Sequence, residues 1–191
     1  MKTLILGFAM MVATFTACNN NDDQTKETTN VGDTTATNTA ASNAEVKTAS
    51  ANEMVTAYLQ LKNALAKDND KEAAAAGKQI TDAMQKTDEA SMTAEQKKVY
   101  GEVKEDIKEH AEHVSNNAGK IEHQREHFDM ISKDMYDMVK VFKPTQTLYV
   151  DHCPMYNDNK GATWLSEVKE IKNPYLGKKM PTCGSVKEEI K

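Results

Sequence analysis

Apolar residues recur at three- and four-residue spacing in four stretches between Ala51 and Phe142, a region that contains no proline. This spacing places the apolar side chains of each stretch on one helix face, so it predicts four amphipathic helices. The predicted buried positions are, helix by helix, Met54, Tyr58, Leu61 and Leu65; Ala76, Ile80, Ala83 and Met84; Val99, Val103, Ile107, His110 and Val114; and Ile121, Phe128, Ile131, Met135, Met138 or Val139, and Phe142. Short connections favour antiparallel neighbours, which predicts an up-down bundle.

Polar segments mark the ends of these helices. Asp68-Asn69-Asp70 ends the first helix and can cap the second. Thr93 with Gln96 makes a capping-box pattern for the third helix. The run from Ser115 to Gly119 then separates the third helix from the fourth.

The helical pattern stops before a C-terminal segment, Leu148 to Gly184, that differs in composition. All four prolines of the chain lie at or just before this segment, and it holds the only tryptophan. Because proline fixes φ and removes a backbone donor, the segment is predicted to be a compact, turn-rich unit. Aromatic residues are expected to stabilise it: Tyr149, Tyr156, Trp164 and Tyr175. The expected fold class is mainly α, an up-down bundle of four helices with a C-terminal proline-rich, turn-rich unit that can contain short β-strands.

The first 17 residues have the features of a signal peptide. Lys2 gives a positive start, Leu4 to Val12 form an apolar run too short to span a membrane, and small residues precede Cys18. The cysteine in this position resembles a bacterial lipobox, which implies lipidation of Cys18 and export to the cell envelope, facing the periplasm or the cell surface. The alternative is a plain secretory signal cut near Ala17.

Residues 18–50 are predicted to be a flexible tether between the lipidated cysteine and a single domain, residues 51–191. From Asn19 to Ser50 there is no aromatic residue, and the only branched aliphatics are Val31 and Val46. Such a segment buries too little apolar surface to offset the entropy of ordering. The membrane is therefore expected to be a partner through Cys18 alone.

Charge and motifs exclude several classes of function. The formal net charge is −5, and no basic stripe is present, so nucleic acid is not an expected partner. None of the helical histidines has glutamate three residues before it, which argues against a di-metal carboxylate enzyme. No Cys-x-x-Cys motif is present, which argues against a thioredoxin-like role, so we predict that the protein is not an enzyme.

Sulfur residues of the C-terminal unit form one candidate metal site. Cys153 with Met155 and Met180 with Cys183 supply two thiols and two thioethers, a donor set that suits Cu(I), and thiolates also suit zinc. His152 is a further candidate donor. The alternative is a disulfide between the two cysteines, because compartments outside the cytoplasm are oxidising. The sequence leaves both open.

Four histidines form a second candidate site. His110 and His113 are three residues apart, and His123 and His127 are four apart, so each pair can share a helix face. If helices three and four fold back near Ala118, the pairs align, and four imidazoles can bind Cu(II), zinc or nickel. The favoured alternative is two solvated pairs on a polar face, with His110 at the rim of the core.

Two stretches resemble one known family. They are HQREHF.MIS, from His123 to Ser132, and CPM…GA.WLS…I.NPY.G..M..CG, from Cys153 to Gly184. They resemble a bacterial lipoprotein domain of unknown function, and related domains are found at the ends of adaptor proteins of heavy-metal efflux systems. The CPM portion also resembles short heavy-metal-binding segments, although Tyr156 replaces their histidine. The resemblance implies a link with copper or related metals.

Two hypotheses of different class follow. The first is a lipoprotein that binds or buffers copper or a similar soft metal and exchanges it with a metal-efflux adaptor or a metal donor protein. The second is a non-catalytic interaction module that holds a Cys153–Cys183 disulfide and no metal.

Overall fold

Four long helices form the first part of the structure, a computed structural model that describes residues 38–191. They are α1 (Asn38–Ala66), α2 (Asp70–Gln85), α3 (Ala94–Asn116) and α4 (Ile121–Phe142). Each helix packs against the next one along the chain, and the short connections make these neighbours antiparallel. The predicted mainly helical class and its bundle are confirmed.

Side-chain caps fix the starts of two helices where the sequence predicts them. The Asn69 side chain accepts a 3.1 Å hydrogen bond from the Glu72 amide at the start of α2. Thr93 and Gln96 form the reciprocal pair of a capping box at the start of α3, with distances of 3.0 and 3.2 Å. A single 3-10 turn, Glu89–Ser91, lies just before it.

The predicted apolar stripes form most of the core, whereas Met84, His110, Ile121 and Phe142 are only half-buried. All four α1 positions, Met54 to Leu65, are at most 1% exposed. In α3, Tyr100 is buried and Val99 is only half-buried, because the Tyr100 ring packs edge-on against Phe142 at 6.5 Å. The α3 stripe is therefore rotated by about one residue at its start.

Helix α1 begins earlier than the sequence predicts. It starts at Asn38, so residues 38–50 of the predicted tether are helical and not coil. This segment contains Ala40, Ala41, Ala44 and Ala49. Alanine has the highest helix propensity, and this propensity does not depend on burial of the side chain. The predicted signal peptide, Cys18 and the rest of the tether lie outside the described residues. From residue 38 onward, no helix is long and apolar enough to cross a membrane.

A small antiparallel sheet forms the C-terminal unit. Its strands are β1 (Leu148–Cys153), β2 (Ala162–Ser166) and β3 (Ser185–Ile190), in the order β2-β1-β3. A four-residue helical turn, α5 (Tyr156–Asn159), connects β1 to β2, and a 3-10 turn, Gly177–Lys179, precedes β3. The unit is thus turn-rich with short strands, as expected.

A line of aromatic rings holds this sheet against the bundle. Tyr58 of α1 stacks on Phe128 of α4 at 5.3 Å, and Phe128 contacts Tyr175 at 5.4 Å. Tyr175 in turn contacts Trp164 of β2 at 5.9 Å. Strand β2 consequently lies against both α1 and α4, and the first and last helices of the bundle share it as a neighbour.

Candidate metal centre

The hairpin of α3 and α4 is fixed at its turn by polar contacts. Gln124 is fully buried, and its amide nitrogen donates to the carbonyls of Val114 at 3.1 Å and Asp70 at 2.9 Å. The Gly119 amide, at a φ of 90°, donates to the Asp70 carboxylate at 2.6 Å. These bonds join the end of α3, the start of α4 and the start of α2, which sets how the two hairpin helices are aligned.

This alignment brings all four helical histidines together, with His127 in the centre. The His127 ring centroid lies 5.1 Å from that of His110, 4.3 Å from that of His113 and 4.5 Å from that of His123. The four rings form one cluster, in which the side chains of His113 and His123 stay 46% and 40% exposed and His110 is half-buried. The folding back near Ala118, which the spacing allowed as the other interpretation, is what the structure contains.

His123 has one ring nitrogen held and the other directed into the cluster. Its Nδ1 lies 3.1 Å from a carboxylate oxygen of Glu126. Its Nε2 lies 3.2 Å from Nε2 of His127. A carboxylate on the far nitrogen of a histidine is the usual second-layer arrangement around protein-bound metals, because it orients the ring and raises its basicity.

His113 supplies the third nitrogen. Its ring stacks on His127 with an interplanar angle of 15°, and its side chain is 46% exposed. One nitrogen each from His113, His123 and His127 lie within 4.8 Å of one another. Nitrogens bound to a tetrahedral zinc ion are about 3.3 Å apart. The distance of 3.2 Å between the Nε2 atoms of His123 and His127 fits this value, and the nitrogen of the exposed His113 ring is the third candidate ligand.

His110 differs from the other three in the atom it touches. Its Nδ1 lies 3.1 Å from Nδ1 of His127, the nitrogen that points away from His123. One ion cannot be shared by both ring nitrogens of His127. His113, His123 and His127 are therefore the candidate ligands. His110 contacts the opposite ring nitrogen of His127 and is not one of them.

The environment of His127 favours its neutral form, in which one ring nitrogen has a free lone pair. Burial, and then the proximity of His113, His123 and His110, lowers the pKa of His127 to about 4. His127 is consequently neutral at pH 7, the form in which imidazole binds Cu(II), zinc and nickel.

The two cysteines of the C-terminal unit also meet. Their Sγ atoms are 2.9 Å apart, Cys153 is buried and Cys183 is partly exposed. The hydrogen bond that the Cys183 thiol donates to Cys153, and then some burial, raise the pKa of the Cys183 thiol to about 11. The predicted thioether partners are exposed, Met155 by 49% and Met180 by 39%.

The sulfur pair does not have the spacing of a bound ion. Two thiolates on a tetrahedral zinc ion are about 3.8 Å apart, so Cys153 and Cys183 would have to separate to hold a metal. The ring of His152 lies over the β1–β2 connection, where a Cβ added at Gly161 would be 2.5 Å from its Nε2. Within residues 51–191, the group of metal-binding side chains that converges does not include these three residues. Their role as metal ligands stays a prediction.

Arg125 holds the start of α4 against α1 and the C-terminal unit. It is 3% exposed, and its guanidinium donates to the Pro174 carbonyl at 2.8 Å, to the Leu65 carbonyl at 3.0 Å and to Asp68 at 2.5 Å. Together with Gln124, it anchors the first turn of α4 between His123 and His127. In the sequence, the HQREHF motif indicates this arrangement, because Gln124 and Arg125 lie between the two histidines.

Comparison with known proteins gives one match, which lies in the helical bundle. Residues 54–147 match the family model described as a protein of unknown function, DUF3347. The matched segment includes all four clustered histidines and excludes both cysteines of the C-terminal unit. No curated protein and no solved structure matches the chain. The matched segment thus runs from Met54 in α1 through the end of α4 and stops just before β1.

Proposed function

We propose that the helical domain binds a divalent transition-metal ion through His113, His123 and His127. The observation that supports this most is the 3.2 Å separation of the Nε2 atoms of His123 and His127, beside the third imidazole. Side chains of this kind prefer Cu(II), zinc and nickel, and affinity generally rises towards Cu(II) in that row of metals. Copper is thus the first ion to test.

The arrangement favours reversible binding. Three protein ligands leave at least one coordination position open, as in sites where the metal exchanges ligands, whereas structural zinc sites are closed by four. The side chains of His113 and His123 are 46% and 40% exposed, so an ion or a competing ligand can approach from solvent. Metal buffering, or transfer to a metal-efflux adaptor or from a metal donor protein, fits these features.

The proposed location comes from the sequence. A signal peptide over residues 1–17 and a lipidated Cys18 would hold the domain at the bacterial cell envelope, on the periplasmic or outer face. A metal-binding domain in that position would meet ions outside the cytoplasm.

A second candidate function is the interaction module without metal. The 2.9 Å separation of the Cys153 and Cys183 sulfurs favours it, because an oxidising compartment would join them. In that case the histidine cluster would be a polar contact surface, and the C-terminal unit would carry no soft metal.

Titration of the metal-free full chain with Cu(II) and with Zn(II) tests the proposal. The cysteines are oxidised first so that sulfur does not compete. We expect one ion per chain, and more than about 100-fold weaker binding after His123→Ala or His127→Ala, since each removes a ligand and even the loss of an outer partner costs about 10- to 100-fold. His152→Ala, the one histidine outside the cluster, is the matched control and should bind as the wild type does. Equal binding by His123→Ala, His127→Ala and the wild type would refute the proposed site.

A further inference from the structure

Four side chains at the candidate metal centre form a continuous hydrogen-bonded chain. Glu126 contacts Nδ1 of His123 at 3.1 Å, and Nε2 of His123 contacts Nε2 of His127 at 3.2 Å. Nδ1 of His127 then contacts Nδ1 of His110 at 3.1 Å. His123 and His127 each use both ring nitrogens, so the proton position on one ring determines that on the next.

The carboxylate at one end sets the direction of the chain in the metal-free protein. A carboxylate only accepts, so Nδ1 of His123 donates to Glu126. A neutral imidazole has one N–H, so Nε2 of His123 must accept from Nε2 of His127. Nδ1 of His127 then accepts from Nδ1 of His110. Every contact is satisfied with all three rings neutral.

A metal ion requires a different arrangement of the same protons. Coordination needs a lone pair on Nε2 of both His123 and His127, and His123 already has one. His127 must move its proton from Nε2 to Nδ1, so that Nδ1 becomes a donor. His110 must then present a lone pair at Nδ1 and carry its own proton on Nε2. Both rings exchange protons with solvent, and neither gains nor loses one.

We propose that metal binding reverses the hydrogen bond between His127 and His110, and that His110 is a positioning residue which fixes His127 in its metal-binding tautomer. This inference rests on the proposed function, because it requires an ion at Nε2 of His127. Partners of this kind change metal affinity by about 10- to 100-fold when removed. His110 is expected to act in that range without touching the ion.

Two substitutions at one position separate this role from a ligand role. His110→Leu removes the acceptor for His127, and we expect 10- to 100-fold weaker Zn(II) binding. His110→Asn places an amide oxygen near the site of the lost Nδ1, and it should restore affinity to within a few-fold of the wild type. Unchanged binding by His110→Leu, or binding by His110→Asn as weak as by His110→Leu, would overturn the inference. Equal melting temperatures of the two variants show that a folding defect does not cause the difference.

Nitrogen-15 NMR of the imidazoles reads the tautomers directly on the full chain, with cysteines oxidised, with and without Zn(II). We expect His110 to carry its proton on Nδ1 in the metal-free protein and on Nε2 after Zn(II) binding. If Zn(II) binds and the tautomer of His110 does not change, this inference fails and the proposed metal site stands. If the wild type binds no Zn(II), both fail.

Discussion

At the scale of single residues, His127 is the centre of the proposed site. It contacts three other imidazoles, and both of its ring nitrogens have partners. Its pKa of about 4, lowered first by burial and then by its histidine neighbours, keeps it uncharged at neutral pH. A proton therefore does not compete with a metal ion at this residue until the solution is clearly acidic.

Asp151 is a second residue with an unusual environment. It is fully buried in β1, and within the described residues neither of its carboxylate oxygens has a hydrogen-bond partner. Burial raises its pKa to about 7, although the nearby Lys62 ammonium opposes the shift. The ionised form is costly here because it is removed from water without compensating hydrogen bonds.

Asp151→Asn should make the protein more stable in mild base. An unfolded aspartate ionises near pH 3.8, and the folded one ionises near pH 7. Between these values the folded state binds more protons, so the stability of the wild type falls as pH rises. We expect the variant to exceed the wild type by about 4 kcal/mol in unfolding free energy at pH 8, and to lie within about 1 kcal/mol of it near pH 4.

Urea denaturation at several pH values measures this difference. The exposed Asp106→Asn is the matched control and should stay within about 0.5 kcal/mol of the wild type throughout. A variant less stable than the wild type at pH 8 would show that the Asp151 charge is stabilising through Lys62.

For the histidine cluster, the sequence predicts which residues come together but not which of their atoms are in contact. The positions of His110, His113, His123 and His127 are nearly symmetric about the turn, and this symmetry was readable from the sequence. Which nitrogen faces which neighbour was not readable, because it depends on the rotation of α3 against α4. The roles of Glu126 and His110 in the chain of hydrogen bonds follow only from those contacts.

At the scale of elements, the connection at Gly177 joins the C-terminal unit to the bundle. Gly177 has a φ of 53°, and a Cβ at this position would overlap the Asp68 carboxylate and the Arg125 guanidinium. The same Asp68 accepts a 3.2 Å hydrogen bond from the Lys178 amide. The 3-10 turn, the end of α1 and the start of α4 therefore meet at one point that has room only for glycine.

Gly177→Ala should destabilise the protein, and Gly101→Ala should stabilise it. The first change strains the backbone and displaces the Asp68–Arg125 pair, at a cost of about 2 kcal/mol or more. The second lies in the interior of α3 with no atom within 4 Å of the new methyl group, where alanine is favoured by about 0.5–1 kcal/mol. Thermal unfolding of both variants gives the comparison, and a Gly177→Ala melting temperature equal to that of wild type would contradict the crowding described.

The sequence located the helices individually, whereas it indicated short strands in the C-terminal unit without locating them. Periodicity and caps located α2, α3 and α4 because their signals are local in sequence. Strand β3, SVKEEI, is largely polar and buries only Ile190 well, so it has no strong pattern of its own. Its pairing with β1 depends on residues far away in the chain, which a reading of local pattern cannot detect.

At the scale of the whole molecule, two candidate chemistries lie in different parts of the structure. Imidazoles converge at the hairpin of α3 and α4, inside the segment that matches the family model, whereas the thiols lie in the sheet unit that follows it. In the sequence alone, the cysteine and methionine residues were the more specific candidate metal ligands, because pairs of histidines on helices are often simply solvent-exposed. The geometry instead favours the histidines for a metal ion and the cysteines for a covalent link.

Oxidation of the cysteines should stabilise the whole domain. Cys153 and Cys183 are 30 positions apart, and closing a loop of that length in the unfolded chain gives about 3–4 kcal/mol in the entropy model. We expect the oxidised protein to lose a large part of this stability on treatment with a reductant, measured by urea denaturation. The Cys153→Ser/Cys183→Ser variant is the control and should not respond. A wild type that is equally stable in both redox conditions would show that no bridge forms.

The most direct test of the proposed metal centre is anomalous diffraction from crystals of the full chain loaded with Zn(II), with data collected on both sides of the zinc absorption edge. We expect one strong peak at the hairpin of α3 and α4, about 2.0–2.1 Å from Nε2 of both His123 and His127. Loss of that peak in His123→Ala crystals grown in the same way would confirm the assignment. A peak at the Cys153 and Cys183 sulfurs instead, or no peak on the protein, would contradict it.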